Sequence, residues 1–467
     1  MKTVSIWLML LVLLGSVLWD PTPARGDQKV CDTWMAKIVS VQGRVEIKRH
    51  TQREWTPVAL NDTCCPQDTV RVLQNSRAAL LLPNDTILRL KESTVITIEH
   101  PPEEQSFWVK LLQGAFHFFS RTPWALKFST PFVNGVVEGT EFFVQVEKDR
   151  TFFAVFEGTL VTANRKGRLK IRSGQTAETL AGQAPKRLDL PSSRDAVHWA
   201  VYYPPILDYR PQAFPGKTQQ WHQIISQAIE SLRAGDPRQA IDRLNSAPLH
   251  LRDSDLYALQ AGILLSVGNI AKAEEYLQLA DTNDARNCRA VALRSIIALA
   301  HNKNKTALEL ARQALGLNHQ CPAGHLALSY ALQSRFDLQG ALRSVLRATK
   351  AAPENALLAA RLAELRLSLG DLDQALKSAR KAVSLNPKLA QTETVLGFAY
   401  LMQFKTQKAI QHFQSAIRLD QGAPLPRLGL GLALIREGKL KQGRTEMEIA
   451  VILDAKSALL RRDLGTA

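Results

Sequence analysis

Alanine recurs on a fixed period through the second half of this chain: Ala240, Ala273, Ala307, Ala341, Ala375 and Ala409 are spaced by 33 and then 34 residues, and Gly443 continues the series. A second ladder runs seven residues behind the first, at Ala247, Ala280, Ala314, Ala348, Ala382, Ala416 and Ala450. Self-similarity at this period belongs to stacked helical hairpins, each too small to bury its apolar face without its neighbours. Small residues are needed wherever two helices cross closely, because a larger side chain would hold the backbones apart. The period predicts an α-solenoid over 221–467, with seven full repeats from 221–253 to 424–457 and a partial eighth from Ala458 to Ala467. Gly235, Gly268, Gly370 and Gly438 fall at turns inside hairpins, and Arg335 and Phe404 stand where such a glycine is expected.

The residues Leu362-Ala-Glu-Leu365, Leu369-Gly-Asp-Leu372, Ala375-Leu376, Ala382, Leu385 and Pro387 resemble the tetratricopeptide repeat. That resemblance implies a concave groove lined by the first helix of every pair, with a protein or peptide segment as its partner. Its groove positions fall on Ile296 and Leu299, Tyr330 and Gln333, Glu364 and Leu367, Phe398 and Met402, and Leu432 and Ile435. Such a surface is apolar with scattered polar groups and carries no Lys/Arg stripe, which favours a peptide over phosphate. The fragment after residue 457 leaves the last hairpin's apolar side uncovered, so self-association or partner binding is expected at the 424–457 end.

The first half has another grain. Short apolar runs such as Val70–Val72, Ala78–Leu82, Ile87–Leu90, Val95–Ile98, Ala115–Phe119, Phe142–Val146 and Phe152–Phe156 alternate with Gly, Pro, Asn and Asp. Many short strands at close spacing predict an all-β sandwich or roll over 27–190, so the chain is multidomain, all-β followed by all-α. Val41-Gln-Gly-Arg-Val45, Asp68-Thr-Val-Arg71, Leu81-Leu-Pro-Asn-Asp-Thr-Ile-Leu88, Gln113-Gly-Ala-Phe116, Val136-Val-Glu-Gly-Thr-Glu-Phe142 and Phe156-Glu-Gly-Thr-Leu-Val161 resemble the FecR domain. In iron signalling that domain is joined through a membrane helix to a segment controlling a sigma factor. Here a solenoid follows it, so the resemblance implies a fold and an envelope location, not that regulation. Glu138, Glu141 and Glu157 read as turn-flanking surface carboxylates.

Met1 to Gly26 combines a lysine, an apolar run from Ile6 to Trp19 and small residues at 24 and 26, the pattern of a signal peptide cut after Gly26. An exported, periplasmic or extracellular location follows, with no stable membrane span after cleavage. Export permits disulfides, and Cys31 is expected to bridge Cys64 or Cys65. No bridge is expected between Cys288 and Cys321. Residues 191–220, rich in Pro and aromatics, suit an ordered connector wrapped on one or both domains.

The net charge of +16 invites a nucleic-acid reading. Export and the interleaving of Lys and Arg with Glu and Asp argue against it; anionic envelope polymers or membrane surfaces are the expected attraction. No Gly-x-Ser-x-Gly, His-Glu-x-x-His or Walker-type loop occurs, and no catalytic, cofactor or metal residues are assigned. The expected function is a non-enzymatic extracytoplasmic scaffold, with the FecR-like domain as a second binding or sensing module. The alternative is a cell-wall polysaccharide- or peptidoglycan-binding protein, with Trp55, Trp108, Trp124 and Trp199 as stacking candidates.

Overall fold

The computed structural model describes residues 31, 33–99, 106–120, 125–189, 197, 199–208, 214, 217–454, 457 and 460. The expected signal peptide, Trp124 and the fragment positions Leu459, Leu464 and Gly465 lie outside the described residues. Among those described, fifteen strands, β1 (Ala36–Gln42) to β15 (Lys186–Leu188), precede fourteen helices, α1 (Gln219–Arg233) to α14 (Leu440–Leu453). Among the described residues no helix is long and apolar enough to cross a membrane.

All fifteen strands are hydrogen-bonded into one sheet. It folds over at β9 (Ser106–Phe119), whose first half pairs with β8 (Thr94–Glu99) and β10 (Ala125–Ser129) and whose last residues pair with β7 (Ile87–Leu90) and β11 (Asn134–Val146). Gly114 sits at this switch with φ +83°, and a Cβ there would lie 2.4 Å from Thr94 Cα, so only glycine fits. Inside the roll Phe116 and Phe128 meet Phe142 at centroid distances of 5.9 and 6.0 Å. Its outer face is covered too: β6 (Arg77–Leu81) and β7 are buried almost throughout. Strands buried on both sides read as continuous apolar runs rather than alternating ones, as Ala78–Leu82 does. Glu141 departs from the surface reading; it is buried, with Oε1 3.1 Å from His117 Nε2. A carboxylate in the outer face is tolerable there because a ring nitrogen meets it.

The helices form seven hairpins. Both alanine ladders are buried at 0 or 1 % exposure, at the closest approaches of paired helices. Gly443 continues the series because a Cβ there would lie 2.7 Å from Gly431 O and 2.6 Å from Ile435 Cγ1. Gly443→Val is therefore expected to lower stability by about 1–3 kcal/mol, the usual range for overpacking. Gly316→Ala, inside α6 (Asn304–Leu317) with nothing within 4 Å, is expected to raise it by about 0.5–1 kcal/mol. Denaturant midpoints of the two variants against wild type check the pair.

The backbone completes a third ladder, whose glycines and Phe404 the sequence already marked. Gly235, Gly268, Asn302, Phe336, Gly370, Phe404 and Gly438, one in each hairpin turn, all have φ between +58° and +82°. The turn position of the 322–355 repeat is thus Phe336 rather than Arg335. A left-handed conformation costs a residue with a Cβ roughly 1–2 kcal/mol.

The roll and solenoid form one compact unit, Trp34–Ala467. Arg77 Nη1 donates to Trp199 O at 2.6 Å and its Nη2 to Ser266 O at 2.7 Å. Arg89 Nη1 donates to Ile452 O at 2.9 Å, and Arg427 Nη2 answers from the solenoid to Val39 O at 2.6 Å. Burial lowers the Arg77 pKa to about 10. Burial, and then the Arg77 charge, hold Arg89 well below the usual arginine range. Val39, Ala79, Ile87 and Phe119 pack with Met447, Ile449, Ile452 and Leu460 in one buried cluster. The apolar side of the 424–457 hairpin, expected to seek a partner or second copy, is covered by the chain's own sheet. That removes the physical reason for association there.

Cys288 and Cys321 are bridged, with Cα atoms 6.4 Å apart, contrary to the expectation. Their separation of 33 residues is one repeat, so stacking brings them side by side at the starts of α5 (Cys288–Ala300) and α7 (Pro322–Gln333). Cys31 and Cys65 are disulfide-bonded. Cys64 is free and buried, its thiol pushed up to about 12 first by burial and then by the Asp68 charge, which leaves it outside the expected pairing.

Candidate functional site

The first helices of successive hairpins make the solenoid's inner face, and the connector lies on it. Phe214 sits under the Arg289 guanidinium at 4.7 Å, at the start of α5. The Tyr202 hydroxyl accepts from Gln391 Nε2 at 3.0 Å, at the start of α11 (Ala390–Met402), and donates to Asp420 Oδ2 at 3.5 Å. Asp420 also accepts from Gly422 N at 2.9 Å and from Gln42 Nε2 of the roll at 3.4 Å. Burial raises the pKa of Asp420 above the usual carboxylate range and that of Tyr202 well above its own.

Between connector, roll and helices lies a cavity of about 320 Å³, lined among others by Gln42, Tyr202, Ile206, Leu293, Leu357 and Gln391. Pro204 and Pro205 stand in the extended stretch that walls it. Two consecutive prolines fix φ and remove two donors, so this stretch meets the helices through side chains and carbonyls, as a bound peptide would.

The structure divides the groove residues. Ile296 is 2 % exposed and belongs to the core shared with Val201, Ile206 and Phe214. Tyr330, Gln333 and Glu364 gather about Arg361, which was not singled out from the sequence. Its guanidinium lies 3.9 Å over the Tyr330 ring, donates to Gln333 Oε1 at 2.6 Å and to Ser329 Oγ at 3.0 Å, and pairs with Glu364 at 2.8 Å. Burial and then the Glu364 charge raise the Tyr330 phenol. A signal was present: at the 34-residue period Arg361 falls in a column of Leu293, Ala327, Val395 and Gly429, and a cation among small and apolar residues needs partners. Phe398 stands apart, edge-on to Phe413 at 4.9 Å within its own hairpin, beside Leu60 of the roll. Met402 is exposed.

Of the tryptophans proposed for carbohydrate stacking, Trp55, Trp108 and Trp199 lie on separate segments. Trp199 is buried against Phe143, and the Trp55 ring is covered by the Arg71 guanidinium at 4.1 Å. Among the described residues no group of three or more His, Cys, Asp or Glu is arranged to hold a metal ion.

A β roll clasped by its own helical solenoid, with an ordered connector on the inner helical face, defines a two-module scaffold type of protein. Comparison with known families places a FecR protein domain at residues 68–161 and a tetratricopeptide repeat at 358–389. The two modules together indicate a protein-interaction scaffold, and both families are generally non-enzymatic. No curated protein matches the chain. Similar solved structures include a thermophilic TPR protein of Thermus thermophilus, 21 % identical over 38 % of this chain and 97 % of that one, with a TM-score of 0.35. YrrB, described as a TPR protein with an unusual peptide-binding site, is 16 % identical over 40 % of this chain and 96 % of its own, with a TM-score of 0.27. A putative anti-sigma factor from Parabacteroides distasonis is 14 % identical over 29 % of this chain and 67 % of its own, with a TM-score of 0.26.

Proposed function

We propose that this protein is a non-enzymatic extracytoplasmic scaffold whose inner helical face binds an extended, proline-containing partner segment, and whose FecR domain is a second binding or sensing module. One observation carries the reading: the connector residues Tyr202 and Phe214 meet that face through a hydroxyl between Gln391 and Asp420 and an aromatic ring under Arg289. The contacts are those a peptide in trans would make, with Arg361 and Tyr330 further along the same face. A tethered occupant competes at an effective concentration on the order of millimolar, so a partner at micromolar levels gains access only when the connector yields.

A synthetic peptide of residues 201–214 is the probe. Tyr202→Ala/Phe214→Ala in the full chain weakens the tethered copy, and the peptide is expected to bind that variant roughly a hundredfold more tightly than wild type. Fluorescence anisotropy of the labelled peptide reads the difference. Equal affinities for the two proteins, or no binding to the variant while its helical signal is intact, would show that the face is packing surface alone.

A further inference from the structure

We propose that the hairpin-turn edge of the later repeats seats on an anionic lipid bilayer, with Phe336 and Phe404 as the inserting side chains. Phe336 is 93 % exposed and Phe404 80 %, and both hold left-handed backbone, φ +63° and +59°, at the position where neighbouring repeats use glycine. Each carries strain that glycine would avoid and a phenyl ring largely exposed to water. Strain and exposed apolar surface coinciding at a turn point to something outside the chain. Leu440, 63 % exposed at the turn of the next hairpin, extends the apolar set.

The charge around Phe404 selects the occupant, whereas the Phe336 turn carries Arg335 beside Asp337 and the turn between the two carries Asp371 and Asp373. The turn segments 403–408 and 436–441 carry Lys405, Lys408, Arg436, Lys439 and Lys441, all exposed, against one carboxylate, Glu437. Glu437 already pairs with Lys439 at 2.8 Å, and the Arg436 guanidinium lies 4.8 Å over the Phe404 ring. Long cationic side chains surrounding single apolar tips suit an interface where the rings enter the acyl boundary and the cations reach lipid phosphates. A folded protein partner would call for a concavity to lock a ring into place, whereas Phe336 and Phe404 project singly from turns two repeats apart. The connector and its face take no part, so this surface is independent of peptide binding.

Flotation of the full chain with vesicles of phosphatidylethanolamine and phosphatidylglycerol, against vesicles of phosphatidylcholine alone, tests the proposal. Wild type is expected to partition onto the anionic vesicles and to dissociate as salt is raised. Phe336→Asn/Phe404→Asn is expected to lose at least about tenfold in partition, because the apolar anchor is gone while asparagine tolerates the left-handed turn. Phe336→Gly/Phe404→Gly, which relieves the strain altogether, should behave alike, and Lys405→Glu/Lys439→Glu/Lys441→Glu should lose binding on the anionic vesicles. The same series in a chain lacking residues 1–26 removes any contribution of the N-terminal apolar run. Wild type failing to partition, or asparagine and glycine variants partitioning like wild type, overturns the proposal. So does a loss confined to capture of another protein, with vesicle binding untouched.

Discussion

Arg77→Ala is expected to cost about 3 kcal/mol and to split one unfolding transition into two. The guanidinium is buried where roll, connector and second hairpin meet, and it satisfies the carbonyls of Trp199 and Ser266 at 2.6 and 2.7 Å. Alanine leaves Trp199 O unmet in a buried site, at about 1–3 kcal/mol, while Ser266 O keeps a second donor, Gln42 Nε2 at 3.3 Å. The same arginine joins two modules that each have their own apolar cluster, so its loss weakens their coupling more than either core. Calorimetry should show one cooperative transition in wild type and two in the variant. Arg89→Ala acts at the other end, by releasing Ile452 O, and the double variant should separate the transitions further. A single transition in both variants, with unchanged enthalpy, would mean that apolar packing alone couples the modules.

Removing the Cys288–Cys321 bridge is expected to cost about 3–4 kcal/mol. The bond closes a loop of one repeat, 33 residues, and the entropy withheld from the unfolded chain by a loop of that size is of this order at room temperature. Because a solenoid's stability is close to a sum of neighbouring contacts, the loss should be local, centred on the third and fourth hairpins. Cys288→Ser/Cys321→Ser is therefore expected to shift the denaturant midpoint and to raise hydrogen exchange in α5 to α8 (Leu338–Ala351) well above that in α14. Reduction of the wild-type protein, which also opens the disulfide bonding of Cys31 and Cys65, should shift the midpoint at least as far. A midpoint that does not move would place the stability of this region in helix packing alone.

Arg361 and the cysteines show where sequence reasoning reached its limit. A period reports which residues occupy equivalent positions, and Arg361 was legible as the one cation in its column but was passed over; the period also does not say that Gln333 from the preceding repeat turns toward it. Cys288 and Cys321 were one period apart from the outset. Whether one period brings two Cα atoms within bridging range depends on the rise between repeats, which is set by side-chain packing. The turn of the 322–355 repeat was misplaced by a single residue although one period of 34 counted back from Gly370 gives 336, which the positive φ of Phe336 bears out.

By itself the sequence determined two modules, their order and the stacking of the helical one, because alanine ladders and turn residues act through neighbours in the chain or one repeat away. It also held the signature of a sheet covered on both faces, in the apolar run Ala78–Leu82 of β6. Only the tertiary structure decided what covers them. The expected open groove receives the connector, and the expected open end of the solenoid receives the sheet, through contacts such as Arg89 to Ile452 and Arg427 to Val39. Such contacts join residues more than 300 positions apart. No local periodicity encodes them, since they depend on the curvature accumulated over seven hairpins, to which every packed pair contributes a small rotation.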